Sequence, residues 1–131
     1  MTSRPGRIMW LAVAAGYFAD YFISFVVSVI GAQFDPNLAH GISFGSIAGA
    51  VTAILLVLST GVGGWIAARL AKHEYVLHGV LVGGIGIIDM LISSFFGERI
   101  PLTNILLQFA AVAVGGLGGW LSQWVPARQE Q

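Results

Sequence analysis

The chain has no cysteine, which rules out disulfides, iron–sulfur clusters and thiolate chemistry. Charge is nearly as scarce. Only 9% of the 131 residues are Asp, Glu, Lys or Arg, against about 25% in a soluble domain. Such a chain cannot clothe a water-facing surface. Six basic residues balance six acidic ones, so no basic field exists to gather nucleic acid. No group of His, Asp and Glu has metal-ligand spacing, and no nucleophile stands with a base. Gly61-Val62-Gly63-Gly64 follows apolar sequence of helical length rather than a strand, so its glycines belong to helix packing and not to a phosphate loop. The sequence therefore offers no catalytic residue and no metal site, and points away from enzymatic activity.

What is present is hydrocarbon and glycine. Hydrophobic residues make up 56% of the chain, glycine occurs 18 times, and mean hydropathy is +0.84. The spacing predicts an all-α polytopic membrane protein, a single domain over residues 1–131 with spans at about 8–30, 42–68, 75–96 and 102–125. The first run, Ile8 to Ile30, reaches ~34 Å as helix, enough for a hydrocarbon core of about 30 Å. Its basic start resembles a signal peptide. The run is long for one, however, Asp20 interrupts it, and Ile30 stands where cleavage near Ala32 wants a small residue. It reads as a retained span. Asp35-Pro36-Asn37 is turn chemistry between spans one and two, and Pro101 suits the first position of span four.

The stretch Gly61 to Gly79 organises the rest. One apolar helix ends there, charged and titratable residues pass in quick succession, and another apolar helix begins. Arg4, Arg7, Arg69, Lys72 and Arg128 fall at the two termini and in this middle loop, whereas the other two loops hold only Arg99. That asymmetry predicts both termini and the middle loop in the cytoplasm of a bacterial inner membrane. Trp10, Trp65, Tyr75 and Trp124 fall near the same face, as an interfacial aromatic belt should.

A faint internal repeat runs through the chain. Asp20-Tyr21-Phe22-Ile23-Ser24 resembles Asp89-Met90-Leu91-Ile92-Ser93, and Gly63-Gly64-Trp65 echoes Gly118-Gly119-Trp120. Two hairpins of one design, related by an axis along the membrane normal, would give this pattern. Small residues also recur every fourth position: Gly41, Gly45, Gly49 and Ala53 in span two, Gly79 and Gly83 in span three, Gly115 and Gly119 in span four. Each series makes a smooth groove that lets another backbone approach closely. The grooves serve packing within the chain, contact with a second copy or another membrane subunit, or both.

Two carboxyls lie inside predicted spans. Asp20 falls ~18 Å and Asp89 ~21 Å from the cytoplasmic starts of their helices, at about 1.5 Å per residue, so both sit in one layer near the bilayer middle. No Lys or Arg lies in any span to neutralise them. Ser24 and Ser93 follow them one turn later, and Gln108 of span four lies at similar depth. Two readings stand: structural hydrogen bonds that fix the helices' register, or exchange of a proton or cation during transport. His40 and His73 fall in loops and are expected to be solvated. His78, just inside span three beside Gly79 and Gly83, has room for a flat ring and is a candidate ligand for a haem or chlorin metal.

GGWIAARLAKHEYVLHGVLVGGIG, residues 63–86, resembles the junction in a group of uncharacterised four-span bacterial membrane proteins. Their pattern is Gly-Gly, then Ala-Ala-Arg at a helix end, then His-Gly opening the next span. The resemblance implies a fold and no activity. FFGERIPLTNILLQFAAVAVG, Phe95 to Gly115, resembles the corresponding end of small multidrug resistance transporters and their drug/metabolite relatives. That resemblance implies a place for Asp20 where the family carries a membrane-embedded Glu in its first span. The charged loop between spans two and three departs from that family. Together these features lead to an accessory subunit or homo-oligomer packing through glycine faces, with a proton- or cation-coupled transporter using Asp20 and Asp89 as the alternative.

Overall fold

A computed structural model describes residues 6–42 and 44–126. Arg4 and Arg128, which contribute to the charge asymmetry, lie outside the described residues. Four helices make up the fold: α1 (Trp10–Phe34), α2 (Ile47–Ala71), α3 (Tyr75–Phe95) and α4 (Leu102–Ser122). At 1.5 Å per residue the shortest still reaches ~31 Å, and all four are long and apolar enough to cross a membrane. The protein is an integral membrane protein of all-α, four-helix polytopic fold. Its outer surface is hydrocarbon, with Phe18, Phe22, Phe25, Leu91 and Phe95 all exposed, as a lipid-facing surface requires.

α2 is the central element. It packs against α1 on one side and α4 on the other, and touches α3 across the bundle; α3 lies chiefly on α4 and only sparingly on α1. The close contacts are made by glycines. A Cβ added to Gly63 would meet the Gly16 carbonyl of α1, one on Gly64 would overlap Gly115 of α4, and one on Gly79 of α3 would overlap that same Gly115. Val13, Ala67 and Val82, none of them accessible, fill the space between α1, α2 and α3 beside these contacts. All of this lies toward one end of the bundle, where Arg7, Arg69 and Lys72 cluster; it is called the basic end below.

Helix α2 begins five residues later than the periodicity predicts. Ser46 caps it: its hydroxyl accepts from Gly49 N–H at 3.0 Å and donates to Asp35 Oδ2 at 2.5 Å. Asp35 Oδ1 in turn accepts from Asn37 N–H at 3.0 Å and opens a short 3-10 turn, Pro36–His40. The Ser46 hydroxyl, followed by the Asn37 contacts, holds the Asp35 carboxyl below its usual range. Gly41 and Gly45 therefore lie outside the helix. Gly41 takes φ +136°, a left-handed conformation, and ends the turn. The series expected along span two shrinks to Gly49 and Ala53, both buried.

Gly79, Gly83, Gly115 and Gly119 are spent inside the chain. Gly83 lies against Val112 and Gly119 against the Tyr75 carbonyl. The connection from α2 to α3 is tight: α2 continues to Ala71, Lys72 and Glu74 both take positive φ, and α3 starts at Tyr75.

His73 stands between those two strained residues and is not simply solvated. Its Nδ1 lies 2.6 Å from the Ala71 carbonyl and its Nε2 lies 2.7 Å from the Arg7 carbonyl. Only a doubly protonated ring can donate to both. The Arg7 carbonyl, then the Ala71 carbonyl, accordingly raises its pKa above the ordinary histidine value. The contact ties the segment preceding α1 to the α2–α3 junction.

Candidate functional site

Away from the basic end the helices part, and polar side chains occupy the gap. The cavity has a volume of about 240 Å³ and takes lining residues from every helix: Asp20 and Ser24 of α1, Ala53, Leu56, Val57 and Thr60 of α2, Gly86 of α3, and Asn104, Leu107, Gln108 and Ala111 of α4, with Ile42 from the first connection. Asp20, Thr60 and Gly86 lie near the middle of their helices, whereas Ala53 and Asn104 lie toward the end remote from the basic cluster. The glycine contacts close one end of the space, and its polar walls run toward the other.

Asp20 is the chemical centre of this cavity. Its Oδ1 accepts from Ser59 Oγ at 2.6 Å and Ser24 Oγ at 3.3 Å, and its Oδ2 accepts from Thr60 Oγ1 at 3.1 Å. Ser59 and Thr60 are both buried. Adjacent α2 residues reach one carboxyl because they flank the face turned toward α1, while Ser24 joins from one turn along α1 itself.

Ser59 carries one proton and has three oxygens within reach. Asp20 Oδ1 lies 2.6 Å away and the Leu56 carbonyl 2.7 Å away, and the Ser24 hydroxyl lies at 2.7 Å. With Asp20 ionised, Ser59 donates to the carboxylate, and the single Ser24 proton is shared between Ser59 Oγ at 2.7 Å and Asp20 Oδ1 at 3.3 Å. With a proton on Asp20 Oδ1, the acid donates to Ser59 Oγ, and the Ser59 hydroxyl turns to Leu56. Neither arrangement strands a polar group, and the two differ by the rotation of one hydroxyl.

Two further polar groups face the cavity from α4. Gln108 was expected beside the carboxyls, but its Nε2 donates to the Gly83 carbonyl of α3 at 3.1 Å and it sits over Gly86. Asn104 Oδ1 is enclosed and accepts no hydrogen bond among the described residues. Acceptors from α1 and α4 thus face one space, and among the described residues no Lys, Arg or His lines it.

Asp89 does not join this group. It is exposed on α3, and Ser93 is half-buried beside it. The buried stripe of α3 is His78, Gly79, Val82 and Gly83, with Gly86 continuing it into the cavity. Asp89, eleven residues beyond His78 and seven beyond Val82, lies within about 20° of both around the helix axis, since each residue advances a helix by about 100°. Both acids keep to one layer, but Asp20 meets α2 hydroxyls, whereas Asp89, on a helix that α1 covers only sparingly, is left exposed. No hydrogen bond reaches the Asp89 carboxyl among the described residues.

His78 is fully buried, and both its ring nitrogens are engaged. Nε2 accepts from Met9 N–H at 3.1 Å, which fixes Nδ1 as the protonated nitrogen, donating to the Glu74 carbonyl at 2.9 Å. Gly115 and Val112 of α4 occupy the space expected beside Gly79 and Gly83 for a flat ring. In place of the haem or chlorin ligand expected there, His78 is a hydrogen-bonded core side chain. It joins the start of α1 to α3, with the His73 ring edge-on at 5.2 Å.

Ser59 and Thr60, absent from the candidate residues above, hold Asp20 most directly. Their signal was a polar pair inside an apolar span. The fold and site define a class, four-span integral membrane proteins with a polar cavity at mid-depth. Beyond that class, comparison with family models, curated proteins and solved structures found no match.

Proposed function

We propose that this protein is a non-enzymatic membrane carrier that exchanges a proton or small cation at Asp20. It would lie in a bacterial cytoplasmic membrane with both termini in the cytoplasm, so that the cavity faces the opposite side. The observation that carries this reading is the Ser59 hydroxyl poised between Asp20 and the Leu56 carbonyl, at the closed end of a polar cavity. A carboxyl kept only to fix helix register needs one partner; this one has three hydroxyls and open space before it. Intramembrane acids facing a cavity are the usual means of coupling proton or cation movement to transport.

The test uses vesicles reconstituted with the protein, an imposed pH gradient and ethidium as a fluorescent hydrophobic cation. Faster cation movement than in protein-free vesicles, abolished by Asp20→Asn, is the expected result. Movement unchanged by Asp20→Asn removes the coupling role from this residue.

A second reading is an accessory subunit or homo-oligomer, favoured by Asp89. An exposed carboxyl at this depth costs at least ~2.5 kcal/mol against lipid, a demand that a second copy or another membrane subunit would relieve. The glycine faces no longer motivate it, because they pack within the chain. Native mass measurement after gentle extraction separates the cases; a strict monomer without partners eliminates this reading.

A further inference from the structure

The flank between α2 and α4 carries a groove that neither the cavity nor the chain's own packing fills. Gly61 and Gly118 form its floor, where a Cβ on Gly118 would overlap the Gly61 carbonyl, so the backbones touch and the groove lies directly over them. Leu58 and Trp65 of α2 and Leu117 and Leu121 of α4 stand along its sides. It encloses about 610 Å³, and no carboxylate or hydroxyl lines it. Both helices run toward the basic end here, so the groove leads from mid-depth to that face.

Arg69 bridges the mouth. One turn beyond Trp65, it donates from Nη1 to the Val125 carbonyl at 2.5 Å, and its guanidinium lies 5.5 Å over the Trp65 ring. A guanidinium carries five N–H donors in a planar fork, and no acid pairs with this one among the described residues. Its position is fixed by α4 and Trp65, yet most of its donors remain unused. A fixed fork suits a phosphate bidentately, and the groove below it suits a hydrocarbon chain.

We infer that this groove binds one anionic phospholipid, with an acyl chain over Gly61 and Gly118 and the phosphate on Arg69. Basic residues between transmembrane helices select lipids of net negative charge. A zwitterionic headgroup brings its own ammonium beside Arg69 and loses that advantage. A second copy related by a twofold through this groove would bring its own Arg69 to the same depth, setting like charges together. The site is independent of transport at Asp20.

The full chain in mild detergent is mixed with equal amounts of dioleoyl-phosphatidylglycerol and dioleoyl-phosphatidylcholine. Retained lipid is read by native mass measurement, and the thermal melt is followed with each lipid separately. Expected are preferential retention of one phosphatidylglycerol and a melt raised by that lipid alone. Arg69→Gln should weaken retention about fivefold, the effect of about one basic residue at an anionic surface. Leu117→Trp, at an exposed position, should fill the groove and remove retention while leaving helicity unchanged. Equal retention of the two lipids overturns the inference. So does retention unaffected by either substitution, or a protein dimer that Leu117→Trp dissociates.

Discussion

In the half of the bundle near the α2–α3 connection, helix backbones touch; in the other half, the same helices part around polar side chains. The rows of residues involved are continuous. The face of α2 that presents Gly64 to α4 carries Leu56 and Val57 two turns earlier, and the face of α4 that presents Gly115 carries Leu107 and Gln108. Where the row is glycine, carbonyls approach within van der Waals contact, which is what holds helices together in lipid. Where the row becomes bulky, the helices splay and a cavity opens. One periodic pattern, changed in side-chain size halfway along, thus builds a closed end and an open one.

The sharpest way to break this contrast is to add one methyl group to each kind of surface. Gly79→Ala places a Cβ in the Gly115 backbone and should lower stability by about 3 kcal/mol, at the upper end of overpacking costs. Gly84→Ala, in the same helix with nothing within 4 Å of its added Cβ, should be neutral or raise stability by up to about 1 kcal/mol. Thermal melts in one detergent decide it; equal effects would mean that the closed end is not held by backbone contact.

In the open half the governing interaction is a hydrogen-bond network rather than packing. Ser59→Ala takes the central hydroxyl from between Asp20, Ser24 and Leu56 and should lower stability by about 1–2 kcal/mol. The melt of that variant checks the figure, and no change would show that Asp20 does not depend on this hydroxyl. Asn104→Leu removes an amide whose enclosed oxygen has no partner. It should raise stability by about 1 kcal/mol, the gain expected when an unsatisfied buried group is replaced by hydrocarbon. A drop in the melting temperature would instead assign Asn104 a structural partner.

The smallest effect concerns the latch at the basic end. The folded state raises the pKa of His73, so the protonated ring's contacts with Arg7 and Ala71 are fully present below about pH 6.5, the ordinary histidine value. They are lost as pH rises through the higher folded value. Amide-exchange protection of Met9 should weaken over that upper window and not below it, and His73→Gln should flatten the dependence. Protection that instead weakened on acidification would reverse the assigned sign.

Much of this was legible in the residues. Span number, approximate bounds and the presence of an acid at mid-depth follow from hydropathy and length, because lipid demands apolar helices about 20 residues long. The packing glycines of α3 and α4 were also readable, since a four-residue period maps directly onto one helix face. How far a neighbouring helix covers each face was not readable. Asp20 and Asp89 share a depth and a local sequence echo, yet one meets hydroxyls and the other is exposed, because the cover at that depth is set by neighbouring helices that a single sequence does not specify. The start of α2 was missed because Gly41 and Gly45 continued the small-residue period, while Ser46 and its bond to Asp35 set the real boundary. The His73 contacts leave no mark in side-chain pattern, because both its carbonyl partners belong to backbone.

The central claim is that Asp20 lies at the closed end of a cavity whose polar walls run away from Arg7, Arg69 and Lys72. Because the chain has no cysteine, single cysteines can be placed at Leu107 in the cavity and at Ala67 in the closed half, in vesicles of known orientation. A membrane-impermeant thiol reagent should label Leu107→Cys from the far side alone and Ala67→Cys from neither. Labelling of Leu107→Cys from the basic side, or its silence from both, would contradict the account.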